Sequence, residues 1–409
     1  MEKLIINGGR RLSGVITPHG SKNAALPLIF ASLAADGVSE IRGVPNIADV
    51  RIAIELVRSQ GVAAEFSEGL LILDARRAKY KKPDRALTSS IRASSYLLGA
   101  SLARFGRFSV SEIGGCNFCN RPIDMHVSAA TRLGAYAEGD ELRAGKLVGC
   151  EIKFDKPSVG ATVNALIMAA SAEGVTHIFG AASEPHVHQV IEFLISAGAS
   201  IKATEGAIEV RGAHLNGGSI EVIPDMIEAG TYMLAGALTG GEITVKGGGD
   251  LGLGSFFDPL ASAGCSVVFN ENGVTVCGLP YDRMRVKTEP YPGYPTDLQP
   301  QIAPLMAMGA GGIITETVWA DRFSYLEALS LFGLRYRKEG KTAFILPSKL
   351  HCARSFATDL RGGAAAVLAA LAVSGESEIE KSEILMRGYS ELAENLLSLG
   401  ADVKIVKEN

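Results

Sequence analysis

The chain has 409 residues, 47% of them hydrophobic and 21% charged, with a formal net charge of −4. A mildly acidic balance argues against nucleic acid or a membrane surface as a general partner, and the length suits two or three domains with large cores. The first residues, Met1 to Gly8, lack the apolar core of a secretion signal, and the longest apolar stretch, Ile302 to Ile314, is too short and too broken by Gly and Pro to span a bilayer.

These features lead us to expect a soluble cytoplasmic protein. The six Cys, at 116, 119, 150, 265, 277 and 352, form no disulfide framework.

The first elements set a pattern. Ala24 to Ala35 is apolar nearly all round, which predicts a buried helix. Val38 to Ile41 reads as a strand. Asp49 to Gln60 reads as an amphipathic helix with Val50, Ile52, Ala53, Leu56 and Val57 on one side. Ala63 to Phe66 and Leu70 to Leu73 then form a hairpin around Ser67-Glu68-Gly69.

The same order recurs down the chain. Gly37, Gly106, Gly174, Gly241, Gly312 and Gly375 each follow an apolar helix, and Gly61, Gly134, Gly198, Gly264, Gly333 and Gly400 follow the second helix of each copy. Both series step by roughly 63 to 73 residues, the mark of an internal repeat. We read each Gly as the left-handed residue that stops its helix. Six βαβαββ copies divide naturally into two lobes of three, with the more apolar first helix of each copy inside and the second covering the outside with the sheets.

The starts of the inner helices carry unusual residues: Ser21-Lys22-Asn23, Ser90-Ile91-Arg92, Lys156-Pro157-Ser158, Pro224-Asp225, Pro295-Thr296-Asp297 and Thr358-Asp359-Leu360-Arg361. Ser, Thr and Asp are ordinary N-caps, whereas a cation there opposes the helix dipole. Lys22, Arg92 and Arg361 therefore mark either an anion site at convergent helix N-termini or local salt bridges. Between its two Gly markers the second copy is longer than the first by about four residues. The excess lies in Gly114-Gly115-Cys116-Asn117-Phe118-Cys119-Asn120-Arg121-Pro122-Ile123-Asp124-Met125-His126. An insertion in one copy of a repeat usually carries function. Cys116 with Cys119 could be a redox pair, though the surrounding pattern for one is missing; Cys116 could be an inert packed thiol; or it could be a reactive thiol on a mobile lid, activated by Arg121 and nearby helix N-termini. The sequence favours the last. His126, His186 and His188 have no carboxylate cluster at ligand spacing, so no metal is expected.

Several of these segments resemble a known family. They are Gly20-Ser21-Lys22-Asn23-Ala24-Ala25-Leu26-Pro27, the Gly-Gly-Cys116 loop through Arg121-Pro122-Ile123-Asp124 to His126, Pro224-Asp225 through Thr231, Pro295-Thr296-Asp297-Leu298-Gln299, Thr315-Glu316-Thr317-Val318, Thr358-Asp359-Leu360-Arg361 and Arg387-Gly388-Tyr389. Together they resemble the enolpyruvyl transferases, and within them the UDP-N-acetylglucosamine 1-carboxyvinyltransferases more than the enolpyruvylshikimate-phosphate synthases. The resemblance covers essentially the whole chain.

It implies an inside-out α/β prism of two lobes, one spanning residues 22–224 and the other 1–21 with 225–409. The implied reaction transfers the enolpyruvyl group of phosphoenolpyruvate to the 3′-hydroxyl of UDP-N-acetylglucosamine and releases phosphate, as the first committed step of peptidoglycan synthesis, with no cofactor. Cys116 would deliver the proton to the vinyl carbon or form a covalent adduct, and Asp297 would take the proton of the acceptor hydroxyl. Lys22, Arg121 and Arg387 would face the phosphate; Arg322 and Arg361 would meet the carboxylate and help the lid close. Asn23 would hold the acceptor. Arg121, Asp124, Lys156, Ser158, Val159 and Gly160 would take its uracil and diphosphate, with Arg92, Val318 and Asp359 completing the substrate contacts. Closure of the lobes would assemble these groups, and the oligomeric state stays open.

The chain departs from the family pattern at Asn117 and Cys119 in the loop, at Met226, where the family usually has Arg, and at Gly362-Gly363 after Arg361. Such changes leave open a paralogue that performs the same transfer to a different nucleotide or alcohol acceptor.

Overall fold

The computed structural model describes residues 2–110, 123–204 and 206–407. The loop residues Cys116, Cys119 and Arg121 lie outside them. The described chain forms two compact units: residues 2–19 with 224–407, here the C-terminal unit, and residues 20–110 with 123–223, here the middle unit. The chain passes between them after His19 and after Ile223. Gly20 and Ser21 thus belong with the first inner helix. A Cβ on Gly20 would stand 1.8 Å from the Gly43 carbonyl oxygen, and the Ser21 N–H donates to the Ile223 carbonyl at 2.7 Å, both within the middle unit. Pro224 goes with the other unit, where the Asp225 N–H donates to the His19 carbonyl at 2.7 Å.

The middle unit is built on the helices Lys22–Ala34, Tyr96–Phe105 and Val159–Ala170, which pack on one another. From Ala24 to Ala34 every residue of the first is buried, as an all-round apolar segment requires. Three sheets surround them. One runs Ser219–Glu221, Val38–Arg42, Leu70–Asp74, Ala63–Ser67, its first pair parallel and the others antiparallel. Its hairpin turns at Glu68 and Gly69, both at positive φ, so the loop is one residue tighter than the sequence suggests. A second sheet, Glu151–Lys153, Val175–Phe179, Ala207–Arg211, Ser200–Thr204, repeats that pattern. The third has three strands among the described residues: Arg107–Ser109, Glu141–Arg143, Tyr136–Glu138.

The C-terminal unit has the same plan. Its central helices Met226–Thr239, Gln299–Met308 and Leu360–Ala372 pack together and are buried along nearly their whole length. Two of its three sheets take strands from the chain's first residues. Ser13–Ile16 is the parallel edge strand beside Glu242–Val245. Glu2–Gly8 sits between Gly375–Glu380 and Val403–Lys407, antiparallel to both, in the place that Leu70–Asp74 holds in the first repeat.

The two glycine series behave differently. Every member of the second, Gly61 to Gly400, has positive φ and stops its helix as expected. In the first, Gly106, Gly174 and Gly375 have positive φ, and of these only Gly106 caps its helix; the helices before the other two already end at Ala170 and Ala372. Gly37, Gly241 and Gly312 are required for space instead. A Cβ on them would stand 1.6 Å from the Asn216 carbonyl oxygen, 1.9 Å from that of Leu12 and 2.5 Å from that of Met284, beside the chain that enters each parallel edge strand.

Candidate active site

Polar residues gather at the inner-helix starts of each unit. In the C-terminal unit the chain enters its second inner helix through a single 3-10 turn, Thr296–Leu298, that carries Asp297. Asp297 is clamped by two guanidinium groups. Arg361 donates from Nε and Nη2 to Oδ2 at 3.1 and 2.9 Å, and Nη1 of Arg322 stands 2.9 Å from Oδ1. Both arginine side chains are about 95% buried, while a quarter of the Asp297 side chain is exposed. Burial alone would push this carboxyl up, but the charges of Arg361 and Arg322 override it and hold Asp297 well below the usual carboxylate range.

Arg361 is placed by its helix. The Asp359 carboxylate caps the helix N-terminus by accepting from the Arg361 and Gly362 N–H groups at 2.9 and 3.2 Å. The Tyr389 ring lies against the guanidinium, 5.8 Å from centroid to Cζ. Arg387 is half-buried two residues earlier, at the end of the 3-10 segment Ser382–Arg387. Val318 is tied to Glu316 by its N–H. Met226 is the first residue of the helix capped by Asp225, which accepts from the Ile227 and Glu228 N–H groups.

In the middle unit Lys22 opens the first inner helix and bridges Asp49 of the helix Ala48–Ser59 at 2.7 Å, with the Asp49 side chain only 4% exposed. Asn23 is the next, half-buried residue. Lys22 and Arg361 thus both have carboxylate partners, the local-bridge alternative raised by the sequence. Arg92 begins the 3-10 segment Arg92–Ser95 that leads into the second inner helix. Ser158 caps the third, accepting from the Ala161 N–H at 3.4 Å, with Val159 and Gly160 next and Lys156 exposed just before. Asp124 opens the helix Asp124–Arg132.

His126 joins these starts together. It is 4% exposed, and its Nδ1 accepts from the Asn164 amide nitrogen at 2.6 Å, which leaves the ring proton on Nε2. Asn164 also donates to the Ser95 carbonyl at 3.0 Å and accepts from the Gly99 N–H at 2.7 Å. A Cβ on Gly160 would meet the imidazole at 2.8 Å. Burial, then the Arg92 charge, push His126 down to about 4 against the pull of Asp124, so the ring is neutral at physiological pH. Among the described residues no cluster of three or more His, Cys, Asp or Glu is placed to hold a metal.

Three features of these clusters were not evident in the sequence. Asp49 looked like one polar residue of an amphipathic helix, and nothing in its spacing points to Lys22. His126 carries no ligand spacing in the sequence and is a buried tie. Glu316, one residue of the Thr315–Val318 motif, is fully buried and holds the segment after it.

The family model of EPSP synthase (3-phosphoshikimate 1-carboxyvinyltransferase) matches residues 6–396. The chain belongs to this enolpyruvyl transferase family. It is 39% identical over 417 residues to the UDP-N-acetylglucosamine 1-carboxyvinyltransferase of Halothermothrix orenii, with all of both chains covered. It is 41% identical over 419 residues to a protein of that name, numbered 3, from Symbiobacterium thermophilum, covering 100% of this chain and 99% of the relative. The solved enolpyruvyl transferase NikO from Streptomyces tendae superposes with a TM-score of 0.88 at 28% identity, covering 100% of this chain and 99% of NikO. An EPSP synthase from Acinetobacter baumannii shares the fold, with a TM-score of 0.75 at 17% identity over both full chains. As an enolpyruvyl transferase the chain is an enzyme, and the two-lobe α/β architecture expected from its repeats is the one these structures have.

Proposed function

We propose that this enzyme transfers the enolpyruvyl group of phosphoenolpyruvate to the 3′-hydroxyl of UDP-N-acetylglucosamine, releases phosphate and so serves peptidoglycan synthesis. Full-length identity of about two residues in five to proteins named for that reaction supports the acceptor. The observation that carries the chemistry is the ionised Asp297 between Arg322 and Arg361 at the start of an inner helix.

The transfer is an addition followed by an elimination. The acceptor oxygen bonds to C2 of the enol, its proton goes to Asp297, and a proton from Cys116 goes to C3. Loss of a proton from C3 with departure of phosphate then restores the double bond on the new ether. Lys22, Arg121 and Arg387 neutralise the phosphate, Arg322 and Arg361 the carboxylate. Asn23 holds the acceptor, whose uracil and diphosphate lie against Arg92, Arg121, Asp124, Lys156 and the helix start at Ser158, Val159 and Gly160.

Paired with two guanidinium groups, Asp297 is ionised but weakly basic. A substrate anion that draws either guanidinium toward itself raises the proton affinity of Asp297, so substrate binding itself arms the base.

Phosphate release tests this reading. It is expected only when phosphoenolpyruvate and UDP-N-acetylglucosamine are present together. Release with another nucleotide or alcohol and not with UDP-N-acetylglucosamine would move the acceptor; none with any acceptor would overturn the proposal. Replacing Cys116 by Ala is expected to remove most turnover while UDP-N-acetylglucosamine still binds, and lost binding would make its role structural.

A further inference from the structure

The carboxylate of Glu316 is completely buried in the C-terminal unit. Its Oε1 accepts from the Thr288 hydroxyl at 2.8 Å and from the N–H groups of Val318 and Trp319 at 2.8 and 2.9 Å. Its Oε2 accepts from the Thr296 hydroxyl at 2.8 Å. These four partners are all neutral. A buried carboxylate normally pairs with a cation or is replaced by an apolar group, since its desolvation is expensive. Here the nearest cation in the chain of bonds is one residue removed: Nη1 of Arg322 donates to the same Thr296 hydroxyl at 3.0 Å, and stands 2.9 Å from Asp297.

We propose that Glu316 is a positioning residue of the transfer reaction, which fixes the Thr296 hydroxyl so that Arg322 is held on Asp297, and which anchors the Val318–Trp319 segment through its N–H groups. The proposal rests on the enolpyruvyl transfer argued above.

The polarity of the relay gives it direction. A hydroxyl has one proton. Because Thr296 donates that proton to Glu316, it presents only lone pairs to Arg322, a pure donor. An amide at position 316 would keep one oxygen for the Val318 and Trp319 N–H groups and place a donor against Thr296. The hydroxyl proton would then have to turn toward other groups, including a guanidinium that cannot accept it. The hydroxyl keeps a lone pair for Arg322 but loses the acceptor that fixed its proton, so the link between residues 316 and 322 is loosened with little change in volume.

The test uses phosphate release by the full chain with phosphoenolpyruvate and UDP-N-acetylglucosamine, comparing wild type with Thr296→Val, Thr296→Ser, Glu316→Gln and the Glu316→Gln/Thr296→Val double variant. Thr296→Val and Glu316→Gln are each expected to lower kcat by about tenfold, a change of about 1.4 kcal/mol. Thr296→Ser, which keeps the hydroxyl, restores kcat to within about twofold. The double variant is no slower than the slower single one, because both changes cut the same link.

With Arg322 less firmly held, the acidic limb of kcat against pH moves up by about one unit in Thr296→Val, which a purely structural change would not do. The sole tryptophan, Trp319, serves as the fold check, and its emission is expected to be unchanged in Thr296→Val. A Thr296→Val enzyme within twofold of wild type, an unmoved acidic limb, or multiplying losses in the double variant would overturn the positioning role while wild-type turnover stands. A wild type that releases no phosphate would overturn the transfer reading itself.

Discussion

Asp297→Asn removes one charge from the ion-paired cluster at the start of the second inner helix of the C-terminal unit and leaves the shape of the side chain nearly unchanged. The Arg361 and Arg322 guanidinium groups, each about 95% buried, then lose the carboxylate held between them. Removing one partner from a buried pair costs about 3–5 kcal/mol. With a quarter of the Asp297 side chain exposed, the lower end of that range, about 3 kcal/mol, is expected at pH 7.

The pH dependence carries the sharper signature. The folded carboxyl is held below its unfolded value of about 3.9, so its contribution is fully present above that pH and is lost as pH falls toward the folded value. At pH 3.5 the unfolded chain takes up the proton and the folded one does not, which removes about 0.7 kcal/mol. The gap between wild type and Asp297→Asn, measured by urea unfolding at both pH values, should therefore be about 3 kcal/mol at pH 7 and narrower by about 0.7 kcal/mol at pH 3.5. A gap under about 1 kcal/mol, or one that does not narrow, would refute the reasoning from a carboxylate held ionised by two guanidinium charges.

The remaining expectations are simpler. The His126 ring should show an NMR titration midpoint near 4, and its failure to protonate should cost the fold about 2 kcal/mol on going from pH 8 to pH 5, a slope that Gln or Asn at this position would lack. Here the sign is that of a lowered imidazole: stability is present above about 6.5 and is lost as pH falls toward 4, because the unfolded chain binds the proton first. Gly37→Ala places a Cβ 1.6 Å from a backbone carbonyl oxygen and should destabilise the middle unit by about 3 kcal/mol, whereas Gly254→Ala meets nothing within 4 Å and should leave the melting temperature unchanged or raise it.

What the sequence made legible was local. The first inner helix was readable because Ala24 to Ala35 has no polar face to turn outward, and the hairpin after it because Gly69 sits between two apolar runs. The cations at the helix starts stood out because they oppose the dipole that surrounds them. Pairings across long stretches of chain were not legible. Nothing near Lys22 announces Asp49, and nothing near Glu2–Gly8 announces the strands that flank it. Of the first glycine series only Gly106 stops its helix as the spacing suggests; at Gly37, Gly241 and Gly312 steric crowding by a strand from elsewhere selects the same residue that a left-handed turn would. Glu316 was hidden for a related reason: its partners are hydroxyls and backbone N–H groups, which carry no charge pattern.

The strand Glu2–Gly8 also bears on how the protein is made. Lys3 meets Glu378 across 375 positions of sequence. During synthesis this β-strand emerges long before its partners and waits, its hydrogen-bonding edges open, until both neighbours have left the ribosome, while the contiguous middle unit can already complete its own sheets. A circular permutant that joins this strand directly after Lys407 would shorten that wait, and its refolding yield would measure how much the ordering of the chain exposes the nascent protein to misassociation.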